Sequence, residues 1–99
     1  MATIYILYSE DLNQFYIGSC NNLEQRLNQH FNKIFDVAHT KRANDWSLFY
    51  SRESLEYETA RKIEVHIKRM KSQKYIQNLK RYPEIVDKLI KKYSAGSSR

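Results

Sequence analysis

Five side chains of this 99-residue chain carry groups that could act together: the phenols of Tyr5 and Tyr16, the guanidinium of Arg26, the imidazole of His30 and the carboxylate of Glu64. Groups of these types move protons and hold charge. Tyr5 and Tyr16 lie in two short apolar, β-branched runs, Thr3-Ile4-Tyr5 and Phe15-Tyr16-Ile17-Gly18, on either side of the turn-like Ser9-Glu10-Asp11-Leu12-Asn13-Gln14. Runs facing each other in a hairpin bring the two phenols close. Arg26 and His30 are four residues apart, so a helix stacks them one turn from each other. Glu64 belongs to a second, longer helical stretch. The five can meet only where the hairpin and the two helices converge.

The elements that must position them follow from periodicity. Residues 3–8 read as a first strand, with Tyr5 and Leu7 on one face and Ile4, Ile6 and Tyr8 on the other. Apolar on both sides, it is expected at the centre of the sheet. Residues 15–20 form a second strand, in which Gly18 suggests close approach by something. Asn22 is a good N-cap, with Gln25 completing a capping-box pattern. Leu23, Leu27 and Phe31 then make a helical stripe to about Lys33. Residues 34–44 show no period and read as a loop of a length that is often functional.

Asp45 to Ser51 read as a third strand, with Trp46, Leu48 and Tyr50 alternating against Ser47, Phe49 and Ser51, and Arg52-Glu53-Ser54 as the turn that follows. A helix from about Glu56 to Lys71 buries Ala60, Ile63, Ile67 and Met70, with Glu64 at the edge of that stripe. Helical signal resumes after Ser72 through Tyr75, Ile76 and Leu79. Tyr82-Pro83 opens a last short helix with Ile85, Val86, Leu89 and Ile90 on its apolar face. The expected fold class is α+β: a central three-stranded antiparallel sheet flanked by helices, in the order β-β-α-β-α-α(-α). Residues 1–93 are expected to form one domain and 94–99 a disordered tail.

Composition narrows the function. The chain is 41% hydrophobic and 13% aromatic, enough for a core. No run approaches the roughly 20 apolar residues of a membrane span, and no export signal is visible. The single cysteine, Cys20, can form neither an internal disulfide nor a cysteine zinc site, and reads as a small hydrophobe in a strand. A cytoplasmic protein is expected. The net charge is +6, but residues 61–92 hold eleven Lys/Arg against three Asp/Glu, a local +8, while the rest carries −2. So one-sided a field favours a polyanion as partner. His39 and His66 read as structural or solvated.

Thr3-Ile4-Tyr5, the pattern Tyr-Ile-Gly-x7-Arg-x3-His from Tyr16 to His30, and Glu64 in a basic helix together resemble the GIY-YIG nuclease superfamily, in particular its small stand-alone members. The resemblance covers about residues 2–80. The leading glycine of the first triplet is replaced by Thr3, and Asn78 is only a loose match to a downstream asparagine. What the resemblance implies is a metal-dependent DNA endonuclease acting in repair or recombination, with Tyr5, Tyr16, Arg26, His30 and Glu64 as catalytic residues. Glu64 would hold one Mg²⁺ or Mn²⁺, since such ions keep their waters and accept one or two carboxylates. Tyr16 would lie by the attacking water and take its proton, a role that for a phenol of ordinary pKa near 10 needs the metal or an Arg nearby to lower it. Tyr5 would orient that water or share its proton, Arg26 would offer its planar fork to the phosphate, and His30 would contact the phosphate or donate a proton. Gly18 would let the DNA backbone approach. Lys41, Arg42, Lys68, Arg69, Lys71 and Lys74, with Lys80 and Arg81, are the expected phosphate contacts. The partner is therefore DNA, with no membrane and no small-molecule cofactor. The alternative is a catalytically inactive nucleic-acid-binding domain of the same fold.

Overall fold

The computed structural model describes residues 1–32 and 45–94, with side chains placed at 1–28 and 45–94. Strands β1 (Ala2–Ser9) and β2 (Gln14–Cys20) form the expected hairpin, antiparallel, with Tyr5 opposite Gly18 and Leu7 opposite Tyr16. Its loop is closed by Asn13 at φ 51, a left-handed conformation that asparagine tolerates, and the Asn13 side chain accepts from the Tyr8 hydroxyl at 2.9 Å. Helix α1 (Leu23–Asn32) starts where expected: Asn22 Oδ1 accepts from the Gln25 N–H at 3.0 Å. Strand β3 (Ser47–Leu55) pairs antiparallel with β1, which gives a sheet of order β2-β1-β3 with β1 in the middle. Helices α2 (Tyr57–Met70), α3 (Gln73–Arg81) and α4 (Glu84–Tyr93) follow.

Both faces of β1 are covered, as its two-sided apolar sequence demands. On one face Ile4, Ile6 and Ile17 pack against Ala60, Ile63 and Ile67 of α2, joined by Ile76, Leu79, Val86 and Leu89 of α3 and α4. On the other, Tyr5, Leu7, Cys20 and Trp46 form a second cluster with Tyr16 and with Leu23 and Leu27 of α1. The sheet is thus a partition, α1 on one side and α2–α4 on the other. Cys20 is 5% exposed and burial pushes its thiol pKa up, in keeping with a packed hydrophobe.

The third strand corrects the sequence reading. Arg52-Glu53-Ser54 is not a turn that ends it; the strand runs on to Leu55. The turn chemistry of these residues is used for a bulge instead. Two steps along β1, from Ala2 to Ile4, oppose three along β3, from Leu55 to Arg52, and Ser54 takes a φ of 63 there. A second irregularity sets Leu48 against Leu7 and Tyr50 against Ile6, leaving Phe49 as the extra residue. The expected alternation of Trp46, Leu48 and Tyr50 is therefore broken. Trp46 lies just ahead of the strand, buried on the Tyr5 side, Tyr50 packs on the other face, and Leu48 is exposed.

Candidate active site

Alternation along β2 sends Tyr16, Gly18 and Cys20 to the α1 face and Phe15, Ile17 and Ser19 to the α2 face. The two phenols are brought together on the first of these. Tyr5 and Tyr16 are diagonal neighbours with ring centroids 6.3 Å apart. Arg26 reaches the same face from the first turn of α1 and hydrogen-bonds the Tyr5 hydroxyl. Tyr5 itself is fully buried. Desolvation is the main reason its pKa lies well above the ordinary phenol value, with Tyr16 adding to the rise and Arg26 opposing it. A phenol so held is protonated at neutral pH and meets the Arg26 guanidinium through its hydroxyl. His30 follows Arg26 by one turn on the backbone of α1, and its side chain lies outside the described residues.

The expectation for Gly18 needs correction. A Cβ built there would sit 2.6 Å from the Tyr5 hydroxyl oxygen and 2.7 Å from the ring carbon that bears it. The space above this glycine is taken by Tyr5, so the missing side chain makes room for a buried phenol, not for DNA.

Glu64 approaches from the other side of the sheet. Ser19 Oγ donates to its Oε1 at 2.6 Å and Lys68 Nζ donates to its Oε2 at 2.7 Å. Its side chain is 16% exposed. The carboxylate is therefore anchored to β2 one residue beyond Gly18, while on the opposite face of the sheet lie Tyr16 of the same strand and Tyr5 of the neighbouring β1. The phenols and the carboxylate thus lie on opposite faces of the sheet, and β2 is one of its two outer strands. Along β2 a cavity of about 270 Å³ is lined by Phe15, Tyr16, Ile17 and Lys68. A neighbouring groove of about 390 Å³ continues past Lys68 to Lys71 and Gln73. Ser19 was missed by sequence reasoning. The signal was present: a hydroxyl between the otherwise apolar Ile17 and the strand end, on the face that meets the helix bearing Glu64.

The donor set fits a divalent ion of the hard, water-keeping kind. One carboxylate oxygen is pinned by a hydroxyl and the other already rests against a cation. Among the described residues no three His, Cys, Asp or Glu gather; a Mg²⁺ ion at Glu64 would be completed by water and substrate phosphate, as sites with one or two carboxylates often are.

The expected DNA contacts separate. Lys68 and Lys71 line the groove along β2, Arg69 lines a different cavity on the far flank of α2, and Lys74 is exposed at the start of α3. Lys41 and Arg42 lie outside the described residues. Asn78 serves the backbone at the end of α3, where its carbonyl accepts from the Tyr82 N–H at 2.7 Å. Among the described residues no helix is long and apolar enough to cross a membrane.

Comparison with known proteins gives one match: the family model described as the GIY-YIG catalytic domain fits residues 1–78. No curated protein and no solved structure matches the chain.

Proposed function

The chain belongs to the GIY-YIG family, a family of nucleases, and from that premise we propose that it is a metal-dependent DNA endonuclease that hydrolyses phosphodiester bonds with one divalent ion. The observation that carries the reading is the anchoring of Glu64 to Ser19 on β2, the strand that bears Tyr16 on its other face. The reading is supported by a carboxylate on one face of β2, a phenol on its other face beside a guanidinium hydrogen-bonded to a second phenol, and a groove with two lysines alongside the strand.

In this reading the Arg26 fork binds two oxygens of the scissile phosphate through charge-assisted hydrogen bonds and stabilises the charge that grows on them during attack. Tyr5 holds that fork from below. Tyr16, at the mouth of the cavity, orients the attacking water and accepts its proton. His30, one turn along α1, contacts the phosphate or returns a proton to the leaving alkoxide. Glu64 is the protein ligand for Mg²⁺ or Mn²⁺, which when bound polarises the phosphate and the leaving oxygen. Lys68 and Lys71 supply phosphate contacts in the groove. Among the described residues no separate element is present to read base edges, so weak sequence preference is expected, and a role in DNA repair or recombination fits an enzyme that selects structure over sequence.

The test is cleavage of supercoiled, duplex, flap and junction DNA with Mg²⁺ or Mn²⁺, with Glu64→Ala as control. Loss of cleavage with an unchanged melting temperature supports the assignment; undiminished cleavage by Glu64→Ala overturns it. A second reading, a DNA-binding domain without turnover, is favoured by the ammonium of Lys68 against Glu64 Oε2. Salt-dependent binding without cleavage under any metal would select it.

A further inference from the structure

A second cavity, of about 340 Å³, lies on the other flank of α2 and is lined by Arg61, Lys62, Val65, His66, Arg69 and Tyr93. Three cations meet there and no acid lines it. None of the three is in an ion pair among the described residues; Arg61 instead donates to the hydroxyl of the exposed Tyr57 at 2.9 Å and lies over its ring. Like charges crowded without counter-charge cost stability, and an anion relieves that cost. The wall is also firm. The two ring nitrogens of His66 are each 3.1 Å from a tyrosine hydroxyl, Tyr93 of α4 and Tyr75 of α3, so three helices lock at this point. Burial, then the nearby Lys92, holds His66 below its ordinary pKa, which leaves Lys92 as a fourth positive charge beside a neutral ring.

The position relative to Glu64 gives the cavity meaning. Each residue turns about 100° around a helix, so His66 is about 200° round from Glu64, on the opposite flank. Going round the outward face between them come Lys68, Arg61, Val65 and Arg69, all exposed. A mainly cationic face, broken by the apolar Val65 and, toward the start of the helix, by Glu58, thus leads from the candidate active site over α2 to the second cavity. The helix is about 10 Å across and a strand advances about 3.4 Å per nucleotide, so the crossing takes about three nucleotides.

The geometry points to a second nucleic-acid site: the cavity between α2 and α4 receives a backbone phosphate of the DNA substrate about three nucleotides from the bond cut at Glu64, held by Arg61, Lys62 and Arg69. The inference rests on the nuclease reading above and names where that enzyme grips its substrate away from the chemistry.

The experiment uses the full chain carrying Glu64→Ala, so that DNA is bound and not cut, and measures the affinity of a labelled duplex by fluorescence anisotropy across salt concentrations. Replacing Arg61, Lys62 and Arg69 together by Ala is expected to weaken binding at least tenfold at about 0.1 M salt, and to make the plot of log affinity against log salt shallower by about two to three. Replacing Arg52, Lys88 and Lys91, an equal charge on β3 and α4, is expected to change affinity less than threefold. Equal effects of the two triple variants overturn the proposal. The ring resonances of His66 give a second readout with every cavity residue intact. They are expected to shift on titration with duplex and not with millimolar inorganic phosphate. An unmoved ring, or an equal response to free phosphate, overturns it too. The failures are separable: a chain that cuts DNA while the two triple variants bind alike loses only this site, whereas a chain that neither binds nor cuts DNA loses the nuclease reading itself.

Discussion

The Lys68 ammonium lies 2.7 Å from Oε2 of Glu64, the oxygen that Ser19 does not hold. A cation therefore already stands on the side of the carboxylate that a divalent ion would use. The lysine is half exposed, and exposed pairs of this kind contribute about 0.2–1 kcal/mol. Removing it should release the carboxylate. Lys68→Met is expected to bind Mn²⁺ about two- to fivefold more tightly without DNA, by calorimetric titration, and to bind DNA more weakly because a groove phosphate contact is lost. Lys71→Met, which removes a groove charge from a residue that does not bond Glu64, is expected to lose DNA affinity only. Unchanged Mn²⁺ affinity in Lys68→Met would show that the ammonium and the ion do not compete.

Ser19 fixes the other oxygen. A hydrogen bond from a hydroxyl to a carboxylate contributes about 1.5–3 kcal/mol, and residues that orient metal ligands commonly matter 10- to 100-fold. Ser19→Ala is expected to lower cleavage by about tenfold or more, to weaken Mn²⁺ binding, and to lower the melting temperature by several degrees. Ser19→Thr keeps the hydroxyl and should recover much of the loss. Cleavage by Ser19→Ala at the unaltered rate would remove this residue from the site.

Those two bonds also mark where sequence stopped being sufficient. The hairpin, the central place of β1, the Asn22 cap and the two long helices follow from short-range chemistry: β-branched runs, a turn-forming stretch, apolar residues at spacings of three and four. The meeting of Tyr5, Tyr16 and Arg26 follows too, because hairpin register and helix entry fix it. Glu64 was legible as an acid in a basic helix, but which face of the sheet it would reach depends on how α2 packs, a long-range fact that periodicity does not carry. Gly18 was misread for a related reason. A glycine in a strand announces close approach without saying by whom, and the partner is a side chain thirteen residues away across the hairpin. In β3 the residues that favour turns bend a strand that tertiary pairing keeps intact.

The contact between Gly18 and Tyr5 predicts the cost of a methyl group. Tyr5 is fully buried and backed by Arg26, so its ring cannot retreat from a Cβ 2.6 Å away. Overpacking of this kind costs about 1–3 kcal/mol. Urea unfolding of Gly18→Ala should therefore give a lower midpoint with an unchanged slope. Tyr5→Phe removes the nearest atom and leaves the ring carbon at 2.7 Å, so the double variant should recover part of the loss and not all of it. Full additivity of the two changes would mean that the ring and the methyl do not collide.

Burial of the same phenol fixes the sign of a pH effect. Desolvation raises the Tyr5 pKa above its unfolded value of about 10, so the folded chain keeps a proton that the unfolded chain releases. Below pH 10 both states are protonated and the group's contribution is fully present. Above it the unfolded state binds fewer protons, and stability falls as pH rises. Tyr50 and Tyr75 are raised by burial as well and share in that fall. Tyr5→Phe is expected to make the decline between about pH 10 and 11 shallower in urea titrations, while Tyr16→Phe abolishes cleavage at neutral pH. If Tyr5→Phe leaves the alkaline slope as it was, the phenol at position 5 is not the desolvated group that the packing of Gly18, Tyr16 and Arg26 around it requires.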